Sequence, residues 1–257
     1  MKVGQKNMKR TVVLIFLGML TMLGLSAPSA LATEVTLDFT GVNGTNDGGV
    51  FTGIYKGTLT GGNLPNTTPS NFMCDDYQDE IYIPETWRVT TYSIENLAGG
   101  ASPLVTFGDN SNTLYNRLYV GSQLQAYAEA IYIAQGLLNS PGTPNPQASV
   151  DSFTIWTLMN NTVSAPSDIS AQVSTLLAST GTWWTGTCDK NPSALTTCLA
   201  GLSDVNIYVP VPGSQNVGNR PQEFLGLGPA PEPVSIILMG TFLSLASGLL
   251  GKKKRAS

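Results

Sequence analysis

Val35, Leu37 and Phe39 are apolar and the residues between them are not, the period of two that puts alternate side chains on one face of a β-strand. Residues 50–60 follow with Phe51, Ile54, Tyr55 and Leu59, and residues 87–94 mix Trp, Tyr and β-branched side chains, which favour extended backbone. Gly41-Val42-Asn43-Gly44 and Gly61-Gly62-Asn63 read as turns between these runs. This half of the chain is expected to form a β-meander or part of a sandwich.

Beyond Asn110 the period lengthens. Ser122 and Gln125 have capping-box spacing, and Leu124, Tyr127, Ala128, Ile131, Ala134 and Leu138 then share one helical face until Asn139-Ser140-Pro141-Gly142 interrupts it. A second helix is expected after Asn145-Pro146, carrying Val150, Phe153, Ile155, Trp156, Leu158 and Met159, apolar on most faces and therefore buried. A third is expected over 167–178, with Ile169, Val173, Leu176 and Leu177 in register and Gly181 beyond its end. Alternation returns at Val205, Ile207 and Val209, and residues 223–227 suit a last short strand. Strands, a three-helix block and C-terminal strands predict one α+β domain over 33–228, with no internal repeat.

Both ends of the chain break this pattern. Lys2, Lys6, Lys9 and Arg10 precede an uncharged run over 11–25 and then Ala30-Leu31-Ala32, the form of a cleavable signal peptide spanning 1–32. At the other end, residues 229–257 begin Pro-Ala-Pro-Glu-Pro, continue as an uncharged apolar run over 234–250, and finish after Gly251 with Lys252, Lys253, Lys254 and Arg255. The prolines lack N–H groups and keep their neighbours extended, so the spacer is stiff. The apolar run makes a helix of about 25 Å, a short transmembrane span. Four cations after it resist translocation, which keeps the C-terminus cytoplasmic and the spacer outside.

Pro231-Glu232-Pro233, the apolar span and the basic end resemble the PEP-CTERM sorting signal, the tail recognised by exosortase-type membrane transpeptidases. The resemblance covers only this tail. It implies an exosortase as partner, transient anchoring in the inner membrane, and a final location at the cell surface or in an exopolysaccharide matrix or biofilm.

Setting both ends aside changes the charge balance. Residues 33–230 carry five basic side chains (Lys56, Arg88, Arg117, Lys190, Arg220) against 16 acidic ones, a net charge of −11. Such a surface repels phosphate backbones, so nucleic acid is not an expected partner; calcium, basic surfaces and neutral glycans fit better. Export also places the three cysteines in an oxidising compartment. Cys188 and Cys198 are close enough in sequence to close a small loop, and Cys74 is left over.

Cys74 opens the most acidic stretch of the chain, with Asp75, Asp76, Asp79 and Glu80. Neighbouring carboxylates raise a thiol pKa, and the chain has no histidine, which excludes Cys-His and Ser-His-Asp nucleophiles and imidazole metal sites. The four carboxylates are oxygen ligands of the type calcium takes, without the spacing of an EF-hand, and the alternative is a solvated strand end and loop. Calcium is the only cofactor this stretch suggests. Asp76 or Glu80 with Glu85 would be the carboxylate pair of a glycoside hydrolase.

A strand-borne cysteine followed by helices and by Ile155-Trp156 is similar to the thioester adhesin domains of bacterial surface proteins. In those domains a glutamine four residues before the tryptophan bonds to the cysteine. Here that position is Ser152, which has no carboxamide to give, so the resemblance implies at most a distantly related fold. The expected function is a structural or adhesive surface or matrix protein with no catalytic residues. The alternative of another class is a secreted carbohydrate-active enzyme using acidic residues.

Overall fold

Short alternating runs become six antiparallel strands among the described residues: β1 (Thr33–Asp47), β2 (Val50–Thr60), β3 (Thr68–Cys74), β4 (Glu85–Ser93), β5 (Val205–Pro210) and β6 (Phe224–Leu227). The computed structural model describes residues 33–62, 68–77, 83–99, 120–140, 147–211, 213–214 and 222–227. The signal peptide, the sorting tail with Pro231, Glu232, Pro233 and its four terminal cations, the Asn145-Pro146 helix start, and Asp79 and Glu80 lie outside them. The chain is of mixed α and β structure, and its strands close into a barrel in the order β1-β2-β3-β6-β5-β4.

Closure corrects the expectation of a sandwich. After β3 the chain does not add β4 to the growing edge; β4 returns to the free side of β1, with Val35 opposite Val89 and Leu37 opposite Trp87. The vacant edge of β3 is taken much later in sequence by β6, which also pairs with β5, and β5 pairs with β4. β1, β2 and β3 form a meander, and β4, β5 and β6 also pair in chain order, with the helices inserted between β4 and β5.

The alternation sorts side chains into two cores. One is the barrel interior, built from Val35, Leu37, Phe39, Tyr55, Leu59, Phe72, Cys74, Trp87, Val89, Tyr208 and Phe224. Its rings pack tightly, Phe39 stacking on Trp87 at 5.0 Å and meeting Phe224 at 4.5 Å between centroids. Room for Phe72 comes from glycines on both flanking strands: a Cβ on Gly226 would lie 2.6 Å from its ring, and one on Gly57 3.3 Å. The second core lies outside the barrel wall, where Ile54, Met73, Ile207, Val209 and Leu225 meet the helices. The outer residues of β1 and β4, among them Glu34, Thr36, Arg88 and Thr90, are not buried, which is why those strands alternate cleanly in sequence.

The helices are α1 (Ile94–Ala98), α2 (Gln123–Leu138), α3 (Gln147–Met159), α4 (Ser170–Trp183) and α5 (Pro192–Ala200), with a π-helical turn (Trp184–Cys188) continuing α4. Ser122 caps α2 by accepting from Gln125 N. Helix α3 is buried on nearly every side, between the barrel, α2 and α4. Two punctuation readings change. Gly41 to Gly44 is not a turn but part of β1, where a register shift follows Phe39 and Gly44 lies so close to the Thr52 carbonyl that no Cβ would fit. The turn is Gly48-Gly49, both at positive φ (62° and 86°), as a tight hairpin requires. Gly181 lies within α4 rather than past it, because the helix runs on to Trp183 and packs the following Trp184 into the outer core.

Candidate functional site

The acidic stretch leaves the barrel at the end of β3, and its first three residues turn inward. Cys74 is 2% exposed, among the rings of the barrel interior. Its thiol donates to the Asp76 carbonyl at 3.0 Å and accepts from Asp76 N at 3.3 Å. Burial pushes the thiol well above its ordinary pKa, and the charges of Asp76 and Asp75 push it further. A thiolate nucleophile is therefore disfavoured here twice over.

Asp75 and Asp76 are buried too, so the solvated strand end considered for this stretch is not what the fold builds. Asp75 N reaches the Glu223 carbonyl at 3.4 Å, extending the contact between β3 and the start of β6, and Gln222 donates to the Asp76 carbonyl at 3.2 Å. Glu223, fully buried, accepts from the Tyr127 hydroxyl of α2 at 2.5 Å. No group of three or more His, Cys, Asp or Glu side chains suited to a metal ion occurs among the described residues, while two of the four proposed calcium ligands, Asp79 and Glu80, fall outside them. Glu85 is 1% exposed at the start of β4. With Asp76 at 8%, neither carboxylate of that candidate pair presents itself to a polysaccharide in solvent.

Helix α3 closes over this end of the barrel. Trp156 Nε1 donates to the Cys74 carbonyl at 3.0 Å, and Tyr77 lies against the same indole with ring centroids 5.2 Å apart. Ser152, one turn earlier, accepts from Gly53 N at 3.0 Å. Next to it Ser149 shares hydrogen bonds with Thr52 (2.9 Å) and Thr45 (3.3 Å). The helix thus faces β2 and the end of β3, with Ser152 on the strand-facing side. These contacts are positional, and the thiol lies in the barrel interior.

Cys188 and Cys198 form a disulfide that ties the π-helical turn to α5, with Cα atoms 5.3 Å apart. Asn191 caps α5 by accepting from Ala194 N at 2.9 Å, and Pro192 occupies the first helical position where no N–H is needed. Sequence reading passed over Tyr132 and Trp183, which stack at 4.2 Å beside this disulfide with Tyr132 45% exposed. The signal was present: two consecutive tryptophans, Trp183-Trp184, end a helix otherwise rich in Ser and Thr.

No family model, no curated protein and no solved structure matches the chain.

Proposed function

We propose that this is an exported protein, held briefly in the inner membrane by residues 234–250, processed at the Pro231-Glu232-Pro233 segment by an exosortase-type transpeptidase, and delivered to the cell surface or an exopolysaccharide matrix in a structural or adhesive role. The observation that carries the proposal is the order of the C-terminal elements, a proline-stiffened acidic spacer, an uncharged span of membrane length and a four-cation stop. The Cys188–Cys198 disulfide supports it, since such bonds persist in oxidising compartments. The acidic surface favours solubility outside the cell and disfavours nucleic acid.

Glu232 is the single charge between the domain and the span, so it is the recognition element the processing enzyme must read. In a strain with an active exosortase, Glu232→Gln is expected to leave export and insertion intact while the full-length form accumulates in the membrane fraction on an immunoblot. Unchanged processing of the variant refutes the sorting assignment.

A further inference from the structure

We infer that the cleft beside the Tyr132–Trp183 ring pair is a binding site for a neutral oligosaccharide. The cleft has a volume of about 690 Å³ and is bounded by α2, the end of α4, the π-helical turn and α5. That falls within the range of about 300–1,000 Å³ usual for small-ligand sites. The inference rests on the matrix reading only for where the glycan would be met; the cleft itself is defined by its walls.

One wall is aromatic. Tyr132 and Trp183 stack nearly parallel, at 16° between planes, and Tyr132 stays 45% exposed although it is a large apolar ring on a helix whose other apolar residues are mostly buried. Stacking covers the facing surfaces of the two rings and Trp183 is half-buried, so it is the exposed Tyr132 ring, backed by the indole, that offers an electron-rich face to the weakly positive C–H groups on the flat side of a pyranose. The side made by the π-helical turn and α5 carries the hydroxyl and amide side chains of Thr187, Asn191, Ser193 and Thr197, while Gln135 stands on α2 one turn from Tyr132. Gln135 gives its N–H to the Gly201 carbonyl at 3.1 Å, which presents its oxygen as an acceptor. Asn191 uses its oxygen as the cap of α5, which leaves its NH₂ as a donor. A polyhydroxylated ligand satisfies both, whereas a hydrocarbon ligand would leave these groups unpaired.

The cleft is also held in shape. Cys198 is part of its lining, and its bond to Cys188 fixes the π-helical turn against α5, while the Gln135 hydrogen bond to the Gly201 carbonyl links α2 to the end of α5. A preformed cleft loses less entropy on binding than one that must be ordered. Lys190 is the one cation in the lining, and it sits on a domain of net charge −11, so a uronic polymer would be repelled over the rest of the surface.

The test uses the full-length chain in a mild detergent, titrated calorimetrically with cellohexaose, hydroxyethyl cellulose, dextran and galactomannan, and with alginate as the charged probe. Saturable binding to at least one neutral probe is expected, weakened about tenfold or more by Tyr132→Ala and less than about threefold by Lys190→Ala. Ser193→Trp, which fills the cleft from the α5 side, is expected to abolish binding and decides the matter should Tyr132→Ala lose its fold. Absence of binding to every neutral probe overturns the inference, as does affinity unchanged in both Tyr132→Ala and Ser193→Trp. Binding to alginate alone, lost in Lys190→Ala, overturns it too. Because binding is measured on purified protein, a failure of Glu232-dependent processing leaves this result standing, and the reverse also holds.

Discussion

The indole N–H of Trp156 donates to the main-chain carbonyl of Cys74 across 82 positions of sequence, at 3.0 Å, with neither partner exposed to water. It fastens the last turn of α3 to the last residue of β3. Trp156→Phe keeps an aromatic ring but removes the N–H donor and part of the indole, leaving a buried carbonyl short of a partner and a small void beside Tyr77 and Phe153. Chemical denaturation is expected to show a loss of about 1–3 kcal/mol, and a variant as stable as the parent would show that the hydrogen bond contributes nothing net.

Cys74 and the disulfide predict a thiol map. Non-reducing peptide mass mapping should return Cys188 linked to Cys198 and Cys74 unlinked. Iodoacetamide should label Cys74 slowly in native buffer and completely in guanidinium chloride, because the thiol is both enclosed and held protonated. Fast native labelling would mean that the end of the barrel opens readily.

Asp151 supplies a pH dependence. Burial raises its carboxyl from 3.8 to about 6, opposed by a hydrogen bond from Gln147. The folded state thus holds this proton more tightly than the unfolded chain. Stability from this group is fully present below about pH 4, falls as the pH rises toward 6, and does not return above it. Asp151→Asn should therefore stabilise the protein at pH 7.5 by about 1–2 kcal/mol, discounted for partial solvent screening, and make little difference at pH 4. Denaturation midpoints at the two pH values check the sign, and an equal gain at both would assign the effect to packing.

Phe72 leaves no space above the glycine of β6 next to it. Gly226→Ala sets a methyl group 2.6 Å from the Phe72 ring and 3.0 Å from the Asn71 carbonyl. The ring is fully buried among Phe39, Tyr208 and Phe224 and has nowhere to go. A loss of about 1–3 kcal/mol is expected in thermal or chemical unfolding; a neutral outcome would show that the barrel interior repacks.

If the protein is exported as proposed, removing residues 234–257 should release it into the medium without processing, since the apolar run and its cations are the proposed retention device. Fractionation and immunoblotting distinguish release from retention, and a truncated protein still bound to membranes would point to another anchor.

Local pattern foretold local structure. The alternation at Val35, Leu37 and Phe39, the run over 50–60 and the helical spacing after Ser122 all became elements of the expected type, because each buries one face against a core. What sequence did not show was pairing at a distance. Nothing near residue 85 says that β4 will choose β1 over β3, since that choice depends on β5 and β6, which arrive more than a hundred residues later. Glycine misled in both directions. Gly44 reads as a turn residue but is there because the Thr52 carbonyl comes too near for a side chain, and Gly181 is tolerated inside a helix whose packing continues past it. Helix α5 carried a legible start in Asn191-Pro192, hidden by its place between two cysteines. The cleft depends on Tyr132 and Trp183 lying side by side from different helices, a relation no linear pattern records.

Every strand of this barrel has a neighbour on both sides. An open sheet leaves a row of unsatisfied amides and carbonyls that can template another chain. Here the hairpin end of β1 and β2, which runs beyond the other strands, is itself met by α3 through Gly53 and Ser152. β4 lies opposite β1 only over Thr33–Phe39, so the hairpin beyond Phe39 is the part of the described ladder that an approaching chain could address.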